Sequence, residues 1–138
     1  MRSYLLLAIA LASLTTLATS CGGARPAEAH AMREGFSYLG ERFVNGGADH
    51  DTIHVGRADG RFTAIMLVVE NAPVEIFDTI VTFGDNERWE PKTRLVFGPD
   101  STSRKIDLPG GARVIRQVDF HYGNLAGGGQ AKVELWGR

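Results

Sequence analysis

Apolar residues recur at every second position through most of the chain after residue 36, and this spacing predicts β-strands. The clearest case is residues 103–122, where two alternating runs flank Pro109-Gly110-Gly111. Such a pattern predicts two antiparallel strands joined by a tight turn. In the second run, strict alternation would bury Arg116 and expose Ile115. We therefore expect a one-residue bulge near Arg116 that returns Ile115 to the core.

Other segments with the same alternation predict the remaining strands. Residues 51–57 and 61–70 flank Asp59-Gly60, a dipeptide typical of β-hairpins. The second of these segments is apolar on both faces, which favours a central strand. Residue Gly40 indicates a bulge or a close approach of the backbone. The further predicted strands are residues 36–44, 74–83, 88–97 and 130–136.

About eight short strands and no convincing amphipathic helix predict an all-β fold, an antiparallel β-sandwich of the jelly-roll type over residues 36–138. A closed barrel is the alternative. Because Pro91 cannot donate a hydrogen bond to a neighbouring strand, the strand that contains it is expected at a sheet edge. Asp78 interrupts an otherwise apolar strand, which indicates either a bulge or a buried pair with an arginine.

The first twenty residues predict an export signal. Arg2 supplies the positive charge, residues 4–17 are apolar, and small residues follow up to Ser20. The apolar run is too short to span a membrane, which takes about 20 residues. Cys21, the single cysteine of the chain, comes next. Residues 21–35 are small and polar, which predicts a flexible tether between Cys21 and the folded domain.

The residues before Cys21 resemble the lipobox of bacterial lipoproteins. The resemblance implies that Cys21 becomes the lipid-carrying first residue of an exported cell-envelope protein. Since Gly22 is not aspartate, it also implies anchoring in the outer membrane, facing the periplasm, if the cell is Gram-negative. The lipobox usually has leucine where this chain has Ala18. Ordinary signal peptidase could cut after Ser20 as well and would leave a free thiol.

The composition of the chain excludes some classes of protein. The chain has 15 Lys and Arg against 16 Asp and Glu, a formal net charge of −1, so it lacks the strongly basic character of a nucleic-acid-binding domain. A single cysteine excludes an intramolecular disulfide. The stability of the domain must therefore come from its hydrophobic core, and the chain is long enough to form one.

Asp49 and Asp51 are the candidate metal ligands. Together with Asn45 and loop carbonyls they could bind calcium, which prefers oxygen ligands. The alternative is an acidic segment that only caps the start of a strand. His50 and His54 would lie about 13 Å apart on one strand, too far to share a zinc ion.

Three residues of the predicted edge strand form one candidate ligand site, with Trp89 to stack on a sugar ring and Arg88 and Arg94 to bind an anionic group. The alternative is that the tryptophan packs in the core and that the basic residues protect a sheet edge.

Arg104 and Arg113 form a second candidate ligand site near the predicted turn at residues 109–111. They could bind a phosphate or a sugar acid, or they could pair with carboxylates and lock the strand ends. Arg116 belongs to the same group. The carboxylates expected beside them are Asp78, Asp107 and Asp119.

The run from Ser103 to Arg113, with Tyr38-Leu39-Gly40, residues 49–53 and Phe83-Gly84, resembles a bacterial secreted family of unknown function. The resemblance extends over most of the predicted domain. It implies an export signal and an all-β domain. It implies no activity and no catalytic residue.

No motif of a nucleophilic, zinc-dependent or phosphate-binding enzyme is present in the sequence. We therefore expect a lipid-anchored envelope protein without a cofactor, acting as a non-catalytic binding module for a glycan or an envelope protein. One alternative is a small hydrolase or lyase of envelope polymers that uses His121 with Asp119, or the Asp49 and Asp51 segment. The other is a calcium-stabilised binding domain.

Overall fold

The computed structural model describes residues 23–45, 47–123 and 129–138. Two five-stranded antiparallel sheets pack face to face, and one short helix lies outside them. The predicted all-β sandwich is confirmed, and the strands hydrogen-bond in two separate sheets rather than in one closed barrel. The elements are α1 (Pro26–Arg33), β1 (Ser37–Val44), β2 (Asp49–His54), a 3₁₀ turn (Arg57–Asp59), β3 (Ala64–Glu70), β4 (Val74–Phe83), β5 (Arg88–Trp89), β6 (Leu95–Phe97), β7 (Ser101–Thr102), β8 (Ile106–Asp107), β9 (Ile115–Gly123) and β10 (Ala131–Gly137).

Sheet A has the strand order β1-β10-β3-β7, with β8 also paired to β3. Sheet B has the order β2-β9-β4-β5, with β6 also paired to β4. The two inner faces form the hydrophobic core, where Leu67 and Leu135 of sheet A meet Ile76 and Phe120 of sheet B, all of them fully buried. Removal of this apolar surface from water is the main force that holds the two sheets together.

The short edge strands explain why ten strands form where about eight were predicted. Residues 88–97 divide into β5 and β6 on either side of Pro91, and both pair with β4 at the edge of sheet B. This position agrees with the expectation that a proline lies in an edge strand. The strand over residues 61–70 is central as predicted, because β3 lies between β10 and the pair β7 and β8 and is buried throughout.

Both predicted hairpins are wrong in their pairing. β2 pairs with β9 whereas β3 pairs with β10, so the segments around Asp59-Gly60 lie in different sheets. Likewise β8 pairs with β3 while β9 lies in sheet B, and Pro109-Gly110-Gly111 carries the chain from one sheet to the other. A hairpin and a connection between sheets need the same turn residues and the same alternation, so the local sequence did not separate them.

Three predicted backbone irregularities are present. The pairing of β4 with β9 shifts register just before Asp78 and again beside Arg116, and there Ile115 is buried and Arg116 exposed. The pairing of β1 with β10 shifts at Gly40. A Cβ atom on this glycine would lie 2.8 Å from the side chain of Ile53, so the two strands approach too closely for any side chain.

The expectation of a flexible tether is wrong for Pro26–Arg33, which forms α1 on the outer face of sheet A. Proline suits the first helical position, and the carboxylate of Glu28 accepts a hydrogen bond from the backbone nitrogen of Arg25 at 2.8 Å. Ala27 and Ala31, one turn apart, are buried against the sheet. The apolar residues that pack with them are Phe36, Ala64, Met66, Val68 and Trp136.

The predicted export signal and Cys21 lie outside the described residues. Within the described part of the chain, no helix is long and apolar enough to cross a membrane.

Candidate functional site

The outer face of sheet B, opposite the core, carries mostly polar side chains in three rows that run across the strands. Strand register places one residue each from β2, β9 and β4 in every row. The first row is His50, His121 and Asp78; the second is Thr52, Asp119 and Ile80; the third is His54, Gln117 and Thr82, continued by Arg88 of β5. The helix of the described chain covers the other sheet, and these side chains are half-buried or exposed.

A histidine and a carboxylate form the most specific contact of the first row. The Nδ1 atom of His121 lies 2.6 Å from a carboxylate oxygen of Asp78, and the bulge in β4 brings Asp78 into register with this histidine. A hydrogen bond at Nδ1 leaves the Nε2 atom for another proton, ligand or metal ion. On the other side, the ring centre of His50 lies 5.7 Å from that of His121.

In the second row, Asp119 contacts its own neighbours and not this histidine. Its carboxylate accepts a hydrogen bond from the hydroxyl of Thr52 and two from the amide nitrogen of Gln117, at 3.0 and 3.1 Å. The partner of His121 is therefore Asp78, not the Asp119 that the sequence suggested. The pair of Asp78 with an arginine, one of two alternatives from the sequence, is absent among the described residues.

An open groove of about 520 Å³ runs over these rows toward the turn between β4 and β5. Two arginines, Arg88 and Arg116, line its far end, and Arg116 donates a hydrogen bond to the side-chain oxygen of Asn86 in that turn. The groove therefore joins two histidines at one end to two guanidinium groups at the other.

A second concavity, an end pocket of about 610 Å³, lies on the other side of the same turn. Arg113 forms part of its wall, with its guanidinium 2.7 Å from Glu87, 3.2 Å from Asp85 and 3.6 Å above the ring centre of Phe83. The hydrogen bond to Glu87 is the largest cause of the raised pKa of Arg113. This arginine is therefore held in place by the fold and keeps its charge.

Two arginines in these concavities have no such partner. In the described ranges, no side-chain hydrogen bond or ion pair is made by Arg57 in the end pocket or by Arg88 in the groove. Arg61, also in the end pocket, makes only a long contact of 3.4 Å with the carbonyl oxygen of Ala112. These guanidinium groups can meet an anion without first breaking an ion pair.

The other predicted ligand residues are not gathered at one site. Trp89 lies opposite an inward-facing residue of β4 and packs against the core. Arg88, its neighbour in β5, points to the other side of the sheet. Arg94 forms an ion pair with Glu75. Arg104 is exposed, and among the described residues its side chain approaches only a threonine hydroxyl, at 3.4 Å.

The carboxylates expected beside the arginines have other partners. Arginine-carboxylate pairing does occur, but Arg113 pairs with Asp85 and Glu87. Asp78 contacts His121, Asp107 pairs with Lys105 at 3.0 Å, and Asp119 accepts from Thr52 and Gln117.

The predicted calcium ligands, Asp49 and Asp51, lie in strand β2 rather than in a loop. Asp49 accepts a hydrogen bond from the backbone nitrogen of His50, and Asp51 accepts one from the hydroxyl of Tyr122 at 2.9 Å. Burial, and then the contact with Asp51, raises the pKa of Tyr122 to about 12. Calcium binding at these residues stays a prediction.

A cluster of carboxylates that the sequence did not reveal lies beneath α1. Oxygens of Glu28, Glu70 and Glu134 lie within 4.8 Å of one another. The Nζ atom of Lys132 is 2.8 Å from Glu70 and 2.5 Å from Glu134, and Arg25 is 2.6 Å from Glu70. Because Lys132 and Arg25 already form ion pairs with these carboxylates, we interpret the cluster as a polar contact that fastens the helix to sheet A.

Sequence analysis did not predict the first row, His50, His121 and Asp78, because its members come from three strands far apart in the chain. A signal was present in the alternation itself. His50, Thr52 and His54 share one parity in β2, and residues 117, 119 and 121 share one parity in β9, so each strand has one wholly polar face. Two such faces on neighbouring strands would indicate a polar, uncovered sheet surface.

Comparison with known proteins gives a family without an activity. A family model described as a domain of unknown function, DUF2541, matches residues 6–137. No curated protein and no solved structure matches the chain. Any proposal about the function of this chain therefore rests on the geometry of the chain itself.

Proposed function

We propose that this chain, which belongs to the DUF2541 family of unknown function, is a non-catalytic binding module of the bacterial envelope that takes an anionic ligand on the outer face of sheet B. One observation carries the proposal: the groove on this face and the end pocket beside it each present an arginine, Arg88 and Arg57, without a partner in the described chain.

The arrangement of the two concavities favours an extended ligand. They share the turn between β4 and β5, in which Asp85 lines the end pocket and Asn86 lines the groove. A chain of sugars with a carboxylate or phosphate on successive units could therefore contact Arg57 at one end and Arg88 at the other. Guanidinium groups bind such anions through two parallel hydrogen bonds, and the amide and histidine groups farther along the groove suit sugar hydroxyls.

Binding of an acidic oligosaccharide tests the proposal. Isothermal titration of the full chain in a mild detergent with oligogalacturonate should give binding that weakens as salt is raised, whereas neutral maltooligosaccharide should give none. We expect Arg57→Gln and Arg88→Gln each to weaken binding about tenfold, since a hydrogen bond to a charged group contributes roughly 1.5 to 3 kcal/mol. Arg94→Gln is the matched control, because Arg94 is exposed but outside both concavities.

Equal losses from all three substitutions would indicate attraction to overall charge and not a site. Binding of the neutral sugar with equal affinity would contradict the role given to the arginines. If neither sugar binds, the proposed ligand class is wrong.

We also propose that Cys21 carries a lipid anchor. Its support is the lipobox-like sequence and the short distance to α1, which begins at Pro26. Five residues span at most about 18 Å, so an anchored Cys21 would hold sheet A toward the membrane and leave the outer face of sheet B facing away from it. Mass analysis of the mature N-terminus tests the anchor, and Cys21→Ser should release the protein from the membrane fraction.

A small hydrolase or lyase is the second candidate, and the contact of His121 with Asp78 favours it. A carboxylate at Nδ1 holds the ring so that Nε2 can accept a proton from a substrate in the groove. Turnover of an acidic polysaccharide, followed by new reducing ends or by the absorbance of an unsaturated product, would support it if His121→Asn abolishes the signal and His54→Asn does not. Absence of turnover by the wild-type chain would count against it.

A further inference from the structure

We infer that His50 and His121 together form a binding site for a divalent transition-metal ion of borderline softness, such as Zn²⁺, Ni²⁺ or Cu²⁺. The two Nε2 atoms would be the protein ligands. Water, or an anion lying in the groove, would fill the other coordination positions. The inference goes beyond the proposed function, because it requires neither of the unpaired arginines.

The spacing of the two rings fits a shared ion. His50 and His121 are direct partners on neighbouring antiparallel strands, which brings their Cβ atoms to about 5 Å. Their ring centres are 5.7 Å apart and their planes are inclined by 40°. An ion bound 2.0 to 2.1 Å from a ring nitrogen lies about 3.2 Å from that ring centre, so two ligating rings have centres about 4.5 to 6 Å apart.

The contact with Asp78 selects the metal-binding nitrogen of His121. Asp78 lies 2.6 Å from Nδ1 of His121, and Asp49 lies 3.6 Å from Nδ1 of His50. Histidines that bind metal ions in proteins almost always donate the other ring nitrogen to a carboxylate, a carbonyl or water, which fixes the tautomer. His121 therefore has a hydrogen-bonded carboxylate at Nδ1, which leaves its Nε2 for the ion, whereas Asp49 is near Nδ1 of His50 but beyond hydrogen-bond distance.

The charge and exposure of the site also suit a cation. The side chains of His50 and His121 are 70% and 50% exposed, so an ion can enter from solvent. Asp49 and Asp78 offset its charge, while Arg88 and Arg116 line the opposite end of the groove. Ring nitrogens favour zinc, nickel and copper over calcium and magnesium, and affinity should rise toward Cu²⁺.

Metal titration of the full chain in a mild detergent tests the inference, with any free thiol of Cys21 blocked by alkylation. Zn²⁺ should bind with a stoichiometry of one. His50→Asn and His121→Asn should each weaken binding at least about tenfold, and Asp78→Asn should weaken it about tenfold through the orientation of His121. His54→Asn, on the same strand and face but in the third row, should change the affinity less than about twofold.

A spectrum of the bound metal ion distinguishes direct coordination by the two histidines from a purely structural role. With Cu²⁺, electron paramagnetic resonance should show coupling to two ring nitrogens in the wild-type chain and to one in His50→Asn. Unchanged Zn²⁺ affinity in both histidine variants, with circular dichroism like the wild type, would overturn the inference, as would an equal loss in His54→Asn. Arg57→Gln and Arg88→Gln should leave Zn²⁺ binding intact, so this site and the anion-binding surface can fail separately.

Discussion

The outer faces of the two sheets have the same strand geometry, but one is buried and the other is open to solvent. On sheet A, Met66, Val68 and Trp136 point away from the core and are nevertheless buried, because α1 covers them. On sheet B, His121 and Asp119 occupy the equivalent outward positions and face a groove. One outer face therefore became a second small core, and the other became the surface on which chemistry can occur.

The two faces also use charge differently. Lys132 on sheet A lies among carboxylates that are fully buried, so each charge there depends on its partner. On sheet B, by contrast, both side chains of the contact between His121 and Asp78 are exposed to water. Removing one partner of a buried pair leaves an uncompensated charge, whereas an exposed pair contributes little to stability. The comparison predicts large losses on one face and small ones on the other.

The largest effect is expected from Trp136→Ala on the covered face. The substitution removes the main apolar side chain beneath α1 and should lower the free energy of unfolding by about 4 kcal/mol. His121→Ala is the matched change in the same position of the strand order of sheet B, and it should cost less than about 0.5 kcal/mol. Urea denaturation followed by circular dichroism measures both. Similar losses in the two variants would contradict the comparison.

Lys132→Met should be next, with a loss of about 3 kcal/mol, because it leaves Glu70 and Glu134 without their shared cation. Adding Glu134→Gln to this variant should restore part of the loss by removing one of the carboxylates. A double-mutant cycle measures this coupling. Strict additivity of the two changes would mean that the pair contributes nothing.

An intermediate effect is expected at high pH from Tyr122, on the buried side of β9. Its pKa is raised from 10 to about 12, so the neutral hydroxyl stabilises the fold below pH 10 and this contribution is lost as the pH rises through 12. Between pH 9 and pH 12 the wild type should lose roughly 2 kcal/mol more than Tyr122→Phe. Unfolding free energies of both chains across this range provide the measurement, and parallel curves would refute the assignment.

The smallest effect is expected from Asp78→Asn on the open face. Its pair with His121 is solvated, so the loss of stability should stay below about 1 kcal/mol. Thermal melts at neutral pH measure it. A loss as large as that of Lys132→Met would mean that the histidine row holds the sheet together and is not available for binding.

Local features were predictable because they depend on neighbours in the chain. The bulge at Arg116, and the bulge that was one of two alternatives at Asp78, follow from a mismatch between alternation and side-chain polarity, and both are present. The irregularity at Gly40 follows from a glycine within a strand, and it is present too. The central position of β3 follows from its two apolar faces. The edge position of the strand around Pro91 follows from a missing hydrogen-bond donor.

Partners distant in sequence were not predictable in the same way. Alternation says which side chains share a face, but the same pattern fits a hairpin and a connection between sheets, and so the pairing of β2 with β9 was missed. The helix at Pro26–Arg33 is short and was missed because its stability depends on packing against sheet A. The candidate ligand residues were grouped by closeness in sequence, and the fold separated Trp89 from Arg88.

By itself, the sequence determined that the domain is an all-β sandwich, where its strands kink, and which residues can be buried, because these follow from the period of two and from the chemistry of single residues. Tertiary structure decided which outer face is covered and which stays open, and it brought His50, His121 and Asp78 together from three strands. The physical reason is that a strand satisfies its backbone hydrogen bonds only with a partner, and the choice of partner depends on the packing of the whole chain.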